Sequence, residues 1–426
     1  MFLDDVLKVL YAPHKVFKQI VANPKYLGVI VILVLFIGLQ IGYEYSQFSN
    51  VRLELTSPVA GLMQTNINAT NWDSSPNLEL SNNFDDYFNN TIYVTGTQLP
   101  PTDPNAYYSL FGNSSLLMEA TNANSVIAAL TNTSNVDCSP NGFQNLSMTI
   151  KLMEPQSVPQ NVTLTLYSLS DLNYFTYSLT PLISDVTLIN QWNNLTIPLG
   201  PNVAGWSEHG FPIWTNITSL TLQFDYSSDS NITLRLGALY FRGQYVTPTQ
   251  YDSAGVLVRF LQIFPLQFLF TWLLLAGIVY IILRVTKNTT TWKPLFVAAG
   301  FAMVVMVIRG AVNIIATLAM PVIYYPFDVS FGLLINPLGT IYYPMEAVGA
   351  LTAQAQTIVV NSDAALSIFN NIISGMFVVS YVWLGAMTTF AVKAVKPEFS
   401  FSKCIAMAAV SVGVTLLALA FFLFVV

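Results

Sequence analysis

The sequence predicts a mixed fold class: an all-α five-helix transmembrane domain plus an all-β extracellular sandwich. Three observations carry that reading. Five stretches reach the roughly 20 apolar residues that a bilayer-spanning helix needs. About 210 polar residues, rich in Asn, Ser and Thr, separate the first stretch from the second and alternate apolar with polar in short runs. Basic residues gather at alternate ends of the apolar stretches, whereas the long polar segment is acidic. Across all 426 residues the chain is 53% hydrophobic and 9% charged, with a mean hydropathy of +0.54. Soluble domains average about 25% charged residues. That deficit excludes an ordinary cytosolic enzyme, a nucleic-acid binder and a disordered chain. Two cysteines exclude a disulfide scaffold and a CxxC metal site, and two histidines argue against a His-rich metal centre.

The expected spans are residues 26–43, 260–283, 295–320, 366–392 and 405–426. The first reads as an uncleaved anchor. It starts after 25 residues, exceeds the apolar core of a signal peptide and has no A-x-A-like site behind it. Lys8, Lys15, Lys18 and Lys25 precede it. Arg284, Lys287 and Lys293 lie between spans two and three, and Lys393, Lys396 and Lys403 between four and five. The segment from Glu44 to Asp252 holds 16 acids against Arg52, Lys151, Arg235 and Arg242. The positive-inside rule therefore puts the N-terminus in the cytoplasm, and the large domain and C-terminus outside a plasma membrane. Sequons at Asn68, Asn89, Asn113, Asn132, Asn145, Asn161, Asn194, Asn216 and Asn231 all fall in the outer segment. Nine is a modest excess over the roughly six that composition supplies, so their placement carries the argument. Asn288 completes a tenth in a loop expected inside, where it stays unmodified. Cys138 is expected outside and Cys404 at the inner end of the last span, so the two do not pair. Low cysteine use with dense sequons points to an archaeal cell envelope.

The domain organisation follows. Residues 1–45 form a cytoplasmic amphipathic segment and the first span, 46–64 a stalk, 65–246 the sandwich and 255–426 the remaining spans. In the sandwich, Leu146, Met148, Ile150 and Leu152 alternate with polar residues, as do Val162, Leu164 and Leu166. Leu195, Ile197 and Leu199 repeat the pattern, then Leu220, Leu222, Phe224 and Tyr226. Ile232, Leu234 and Leu236 open a last strand that Gly237 is expected to bulge. Short alternating runs between Pro, Gly, Asn and Asp turns predict an antiparallel sandwich.

The segment Gln191-Trp192-Asn193-Asn194-Leu195-Thr196-Ile197-Pro198-Leu199 is followed by Trp206, Gly210, Pro212-Ile213-Trp214 and Ile232-Thr233-Leu234-Arg235-Leu236-Gly237-Ala238-Leu239-Tyr240-Phe241. With Gly112-Asn113-Ser114-Ser115-Leu116 upstream, it resembles galactose-binding-like jelly rolls, the fold of many carbohydrate-binding modules. The resemblance implies an extracellular jelly roll. Such modules often carry an acid where Leu234-Arg235-Leu236 stands here. Sugar sites pair exposed aromatics with hydrogen-bonding side chains, which makes Trp72, Trp192, Trp206 and Trp214 the candidate ligand-facing aromatics; core packing is the plainer role for each. Asp85-Asp86 offers carboxylates for a structural calcium ion, or a solvated loop. Ser207, Glu208 and His209 are sequence neighbours, which does not make a triad.

In the N-terminal segment Val6, Val9, Leu10, Val16, Phe17 and Ile20 alternate with Lys8, Lys15 and Lys18 around Pro13. Two short amphipathic helices on the inner membrane surface are expected. The run Val6-Leu7-Lys8-Val9-Leu10-Tyr11-Ala12-Pro13-His14-Lys15-Val16-Phe17, then Asn23-Pro24, resembles the opening of the Yip-domain family of Ypt/Rab-interacting membrane proteins. Trp383, Ala391-Val392-Lys393 and Ser402-Lys403-Cys404-Ile405-Ala406 are similar to that family's last helical pair. The resemblance implies five spans and a role in membrane organisation, with a whole sandwich inserted between spans one and two.

Arg309 and Asn313 are the intramembrane polar residues, four apart and so on one helix face. A clamp between Arg309 and an acid such as Asp328, Glu346 or Asp363 is the plain reading, and a polar path for a solute the alternative. Ile323-Tyr324-Tyr325-Pro326-Phe327-Asp328 recurs as Ile341-Tyr342-Tyr343-Pro344-Met345-Glu346, predicting an interfacial or re-entrant hairpin at about 321–362.

Together these readings predict a non-catalytic, membrane-anchored surface glycoprotein. It would bind or organise envelope glycans, a surface layer or partner membrane proteins. Its partners are membrane lipids and those envelope components, not nucleic acid, and no cofactor beyond N-linked glycans is expected. A transporter or channel subunit using Arg309 is the first alternative. An envelope glycan-acting enzyme, which needs two carboxylates at about 5–10 Å, is the second.

Overall fold

A computed structural model describes residues 2–59, 62–84, 113–286, 291–318, 320–327 and 353–425. Asp85, Asp86, Asn89, Asn288, Asp328 and Glu346 lie outside them, as does the second copy of the Tyr-Tyr-Pro repeat. The chain divides into two compact units, one of Met1–Val51, Thr247–Ile323 and Ser362–Val426, the other of Arg52–Val246 and Tyr324–Asn361.

The first unit is helical. Helices α1 (Phe2–Tyr11) and α2 (Pro13–Ala22) meet at Pro13, which fits the first turn of α2 because its missing N–H needs no partner there. The long helices are α3 (Leu27–Ser49), α4 (Ser253–Val285), the pair α5 (Trp292–Ala302) and α6 (Val304–Thr317), α7 (Ala353–Val395) and α8 (Phe401–Val425). Helix α4 begins where Asp252 Oδ1 accepts the Gly255 N–H at 2.9 Å. Among the described residues, counting α5–α6 as one, five helical stretches are long and apolar enough to cross a membrane, each near an expected span.

The two short amphipathic helices expected around Pro13 are present. Val6, Val9, Val16, Phe17 and Ile20 are buried in one cluster with residues of the long helices. Their apolar faces pack on protein rather than lie free for lipid, because α1 and α2 contact α3 and α5. Backbones approach closely there. A Cβ on Gly28 would stand 2.1 Å from Phe301 Cζ, and one on Gly300 2.4 Å from Val29 Cγ1. Trp272 closes the crossing by donating Nε1–H to the Phe296 carbonyl at 2.7 Å and stacking on that ring at 4.1 Å.

The second unit is a two-layer antiparallel sandwich whose layers share strands. Its elements are β1 (Val51–Ser57), β2 (Trp72–Ser74), β3 (Leu78–Phe84), β4 (Ser114–Leu130), β5 (Asn145–Glu154), β6 (Asn161–Ser168), β7 (Ser170–Ser178), β8 (Trp192–Pro198), β9 (Trp206–His209), β10 (Ile217–Val246) and β11 (Ile323–Tyr325). Strands β4 and β10 run the length of both layers, and their pairing slips between Asp225 and Ile232, where Asn122 turns left-handed at φ 49°. Beyond that bend, layer one is β2–β4–β10–β6–β7–β9 and layer two β3–β4–β10–β5–β8. Inward residues of both layers, among them Leu116, Leu146, Ile150, Leu164, Leu222 and Leu236, form one core.

Three local expectations change. Residues 217–226 and 232–246, read as separate strands, are one continuous β10. The expected stalk contains β1, whose Leu53 and Glu54 pair with Val246 and Tyr245 of β10, because Val51 and Leu53 have an apolar face to bury. The first copy of the Tyr-Tyr-Pro repeat adds β11, a strand not read from the sequence, beside β1, while most of the hairpin expected at about 321–362 lies outside the described residues. The expected Gly237 bulge is present: pairing with β5 shifts by one residue between Leu236 and Ala238.

Candidate functional site

The alternation of each strand gives every layer an outer face. In layer two that face is buried. Ser115, Ser147, Thr149, Lys151, Trp192 and Tyr240 all point outward by register yet are at most 8% exposed. Among the described residues that cover it is Phe327, whose N–H donates to Glu54 Oε2 at 3.0 Å and whose ring lies 5.4 Å from Tyr240 and 5.0 Å from the Arg242 guanidinium.

Layer one is open. Tyr167 of β6 is paired with Tyr174 of β7, and Tyr174 with His209 of β9. Cross-strand pairing brings the three rings into one row, with centroids 5.7 Å apart for the tyrosines and 4.6 Å for the stacked Tyr174–His209 pair. Because these rings stand side by side, their hydroxyl and imidazole tips form a line of donors and acceptors. Thr163, Thr165, Thr176, Ser207 and Thr221 continue the face as hydroxyls. At its far end Asp225 accepts from Ser125 Oγ at 2.6 Å, Gln223 Nε2 at 2.9 Å and Asn161 Nδ2 at 3.3 Å. Partial burial pushes the Asp225 carboxyl up, but those hydrogen bonds outweigh it and hold the group below its ordinary value.

Beside His209 the chain turns through Gly210 at φ 74°, where a Cβ would stand 2.5 Å from both Asn173 Oδ1 and the Leu172 carbonyl. That turn projects Phe211, which is 89% exposed, next to Leu172, which is 81% exposed. The loop is held. Asn173 Oδ1 accepts the Phe211 N–H at 2.8 Å, and Ser168 Oγ bonds both backbone groups of Ile213. An exposed phenyl ring on a held backbone, two residues along the chain from His209, and a row of hydrogen-bonding tips supply the two parts of a carbohydrate-contact surface, an apolar face and directional polar groups.

The candidate tryptophans are placed differently. Trp72, Trp192 and Trp214 are 6%, 2% and 7% exposed, so solvent does not reach them as a platform. Trp72 donates to the Asn66 carbonyl, and Trp214 stacks on Phe175 at 3.9 Å. Lys151 lies 5.8 Å from the Trp192 ring. Trp206 is half-buried and edges against Trp214 and Phe175, with Nε1–H given to the Pro198 carbonyl. Trp72 and Trp214 pack in the core with Trp206 against it, Trp192 lies on the buried outer face of layer two, and the exposed row consists of smaller rings. Strand alternation sets Glu208 on the opposite side of β9 from Ser207 and His209, so those three form no triad. Among the described residues no group of three His, Cys, Asp or Glu could hold a metal ion.

Of the sequons, Asn68, Asn113, Asn132, Asn161 and Asn231 are exposed, and Asn145, Asn194 and Asn216 half-buried. Cys138 is buried and free; burial, then Asp137, pushes its thiol up, and Cys404 is also buried and free.

In the helical unit Arg309 lies over an aromatic ring, and the side chains of the acids expected to clamp it, Asp328, Glu346 and Asp363, lie outside the described residues. Its guanidinium carbon lies 4.8 Å from the Phe377 centroid, and it makes no ion pair among the described residues. Beside it is a ≈ 20 Å³ cavity lined by Gln40, Gln267, Thr271 and Tyr381 among others. That is room for about one water. Asn313 is 2% exposed and its Oδ1 has no hydrogen bond among the described residues.

No family model matches the chain, the Yip-domain family included, and no curated relative matches it. Solved structures similar to it include carbohydrate-binding modules and a glycoside hydrolase. A family 11 carbohydrate-binding module from Clostridium thermocellum, in complex with a β-1,3-1,4-mixed-linked tetrasaccharide, is 11% identical over 40% of this chain and 88% of its own, with a TM-score of 0.24. A carbohydrate-binding module of the β-sandwich superfamily is 12% identical over 44% of this chain and 60% of its own, with a TM-score of 0.25. An arabinose-bound α-L-arabinofuranosidase is 15% identical over 44% of this chain and 26% of its own, with a TM-score of 0.28. At these scores the functional reading rests on the geometry of this chain alone.

Proposed function

We propose that this protein is a non-catalytic, membrane-anchored surface glycoprotein whose sandwich binds glycans on the outer face of layer one. The observation that carries this is the Tyr167–Tyr174–His209 row, set in register across three strands and flanked by the exposed ring of Phe211. A sugar ring packs its C–H face on Phe211 while its hydroxyls meet the tyrosine and histidine tips. The anchor is the five-helix unit, of Yip-domain type, with the N-terminus inside and the sandwich outside. Envelope polysaccharide or surface-layer glycan is the ligand class.

Full-length protein in detergent, titrated with oligosaccharides released from its own cell envelope, tests the reading by calorimetry. Saturable binding that Phe211→Ala and Tyr174→Ala weaken supports it. Binding that survives both, or release of reducing ends during incubation, overturns it. The transport alternative asks for a wide hydrated passage at Arg309, and a cavity for about one water does not favour it.

A further inference from the structure

The glycan reading leaves the polar interior of the helical unit unused. Four of its helices bring polar side chains to the ≈ 20 Å³ cavity beside Arg309: Gln40 from α3, Gln267 and Thr271 from α4, Arg309 from α6 and Tyr381 from α7. Apolar side chains complete the lining. Gln40, Gln267, Arg309 and Tyr381 each stand at least eight residues from either end of an apolar helical stretch. Eight residues are about 12 Å of helix, so in the proposed membrane arrangement the cavity is at hydrocarbon depth.

The charge there is one-sided. Arg309 lies over the Phe377 ring and makes no hydrogen bond or ion pair among the described residues. A ring meets the flat of a guanidinium and leaves the N–H donors around its edge without an acceptor. No described side chain lining the cavity is a carboxylate. Asn313, one turn further along α6, is not among the lining residues, and a neutral amide does not compensate a charge. The neutral groups supply donors. Gln40 and Gln267 can each turn an amide NH2 inward, and Tyr381 offers its O–H. Thr271 is already committed, since its hydroxyl donates to the Gln267 main-chain carbonyl at 2.7 Å. Size and charge then select the occupant. Room for about one water is too little for a phosphate, sulfate or carboxylate group. Water fits but leaves a positive charge uncompensated at a depth where that is costly. A single-atom anion meets both conditions.

We propose that Arg309, with Gln40, Gln267 and Tyr381, binds one chloride ion as a fixed counter-ion inside the helical unit. The helices then close around a neutral pair, and α3, α4, α6 and α7 share one ligand. The inference rests on the membrane embedding proposed above and not on glycan binding.

The test is thermal unfolding of the full chain in detergent, in sodium chloride against sodium gluconate at equal ionic strength. Extraction of the expressed protein from membranes is read first. A chain that leaves the membrane on carbonate washing overturns the embedding, and this site with it, before any ion is added. The expected result is a higher midpoint in chloride, rising with the logarithm of its concentration as linkage to one bound ion requires. Bromide reproduces the rise. Arg309→Gln raises the chloride concentration needed for a given shift at least about tenfold, the loss of one charged contact. Gln267→Glu keeps the shape of the side chain and builds a carboxylate into the cavity. Its midpoint in gluconate exceeds the parent's and no longer responds to chloride. Equal midpoints of the parent protein in the two salts overturn the proposal. So does a chloride response that Gln267→Glu retains in full, and that result decides if Arg309→Gln does not fold.

Discussion

Glu54 and Arg242 form a two-pronged ion pair between β1 and β10, with Nε to Oε1 at 2.9 Å and Nη2 to Oε2 at 3.0 Å. The carboxylate also accepts the N–H groups of Gly243 and Phe327, each at 3.0 Å, so four donors converge on a side chain that is 1% exposed. A buried charge is costly unless its lone pairs are met, and here they are met. Glu54→Ala leaves Arg242 and two backbone N–H groups without their acceptor. The expected loss is ~3–5 kcal/mol, read as a lower midpoint of thermal unfolding. Replacing both partners by Glu54→Leu and Arg242→Met should recover much of it. A Glu54→Ala protein as stable as its parent would show that the pair contributes nothing.

The aromatic row makes a sharper prediction about ligand affinity. Phe211→Ala and Tyr174→Ala should each weaken glycan binding about tenfold, ~1.4 kcal/mol. Trp72→Phe should leave affinity unchanged, because its ring is shut in the core. Gly210→Ala should act like Phe211→Ala without touching any ring, since an L side chain at φ 74° displaces the loop that aims Phe211. Calorimetric titration of the four variants separates these outcomes.

The contrast between that row and the tryptophans shows how much of the site the sequence could reveal. Residue type marks Trp72, Trp192, Trp206 and Trp214 as candidates, but type does not report burial. Tyr174 and His209 are 35 positions apart, and only the β7–β9 register makes them neighbours. No local pattern contains that information. Elements with strict period, such as Leu146–Leu152 and Val162–Leu166, were legible because one face had to be apolar. The polar run Ser227–Asn231 has turn composition, yet β10 runs through it, with Ser230 paired to Ala123 between two register shifts. Val51 and Leu53 carried a usable alternating signal, hidden by their position directly after an apolar helix.

Helix crossing at Gly28 is a packing constraint with a direct test. With Phe301 Cζ 2.1 Å from an added Cβ, the ring must move for any side chain to fit. Gly28→Leu should cost ~1–3 kcal/mol through overpacking and lower the unfolding temperature of detergent-solubilised protein. Adding Phe301→Ala should return part of that loss by making room. A Gly28→Leu protein that melts with its parent would show that the helices can part at this crossing without cost.

Asp225 predicts an acid limb in stability. Its folded carboxyl titrates below its ordinary value, so the folded state favours the ionised form. The stabilisation is complete above the unfolded value of about 3.9 and is lost as pH falls through the lower folded value. Asp225→Asn keeps the shape and removes the titration. The difference in melting temperature between the two proteins should therefore be constant from pH 7 to about 5 and shrink below about 4. A difference that does not change with pH would show that Asp225 gains nothing from Ser125, Gln223 and Asn161.

Glycan occupancy tests both the fold and the orientation. Oligosaccharyl transfer needs a reachable side-chain amide, and a folded product must have room for the sugar outside the sheet. Asn68, Asn113, Asn132, Asn161 and Asn231 have that exposure. Asn194 sits within β8 with its Oδ1 accepting from Thr149 Oγ1 at 2.9 Å, and Asn145 pairs with Arg242 inside layer two. Glycopeptide mass spectrometry of the purified chain should find the five exposed sites modified and Asn145 and Asn194 bare. Asn288, in a loop that the positive-inside rule assigns to the cytoplasm, should also be bare. Sugar on Asn288 with none on the sandwich would invert the orientation. Sugar on Asn194 in folded protein would contradict its place in the sheet, because a glycan there would have to displace the contact with Thr149.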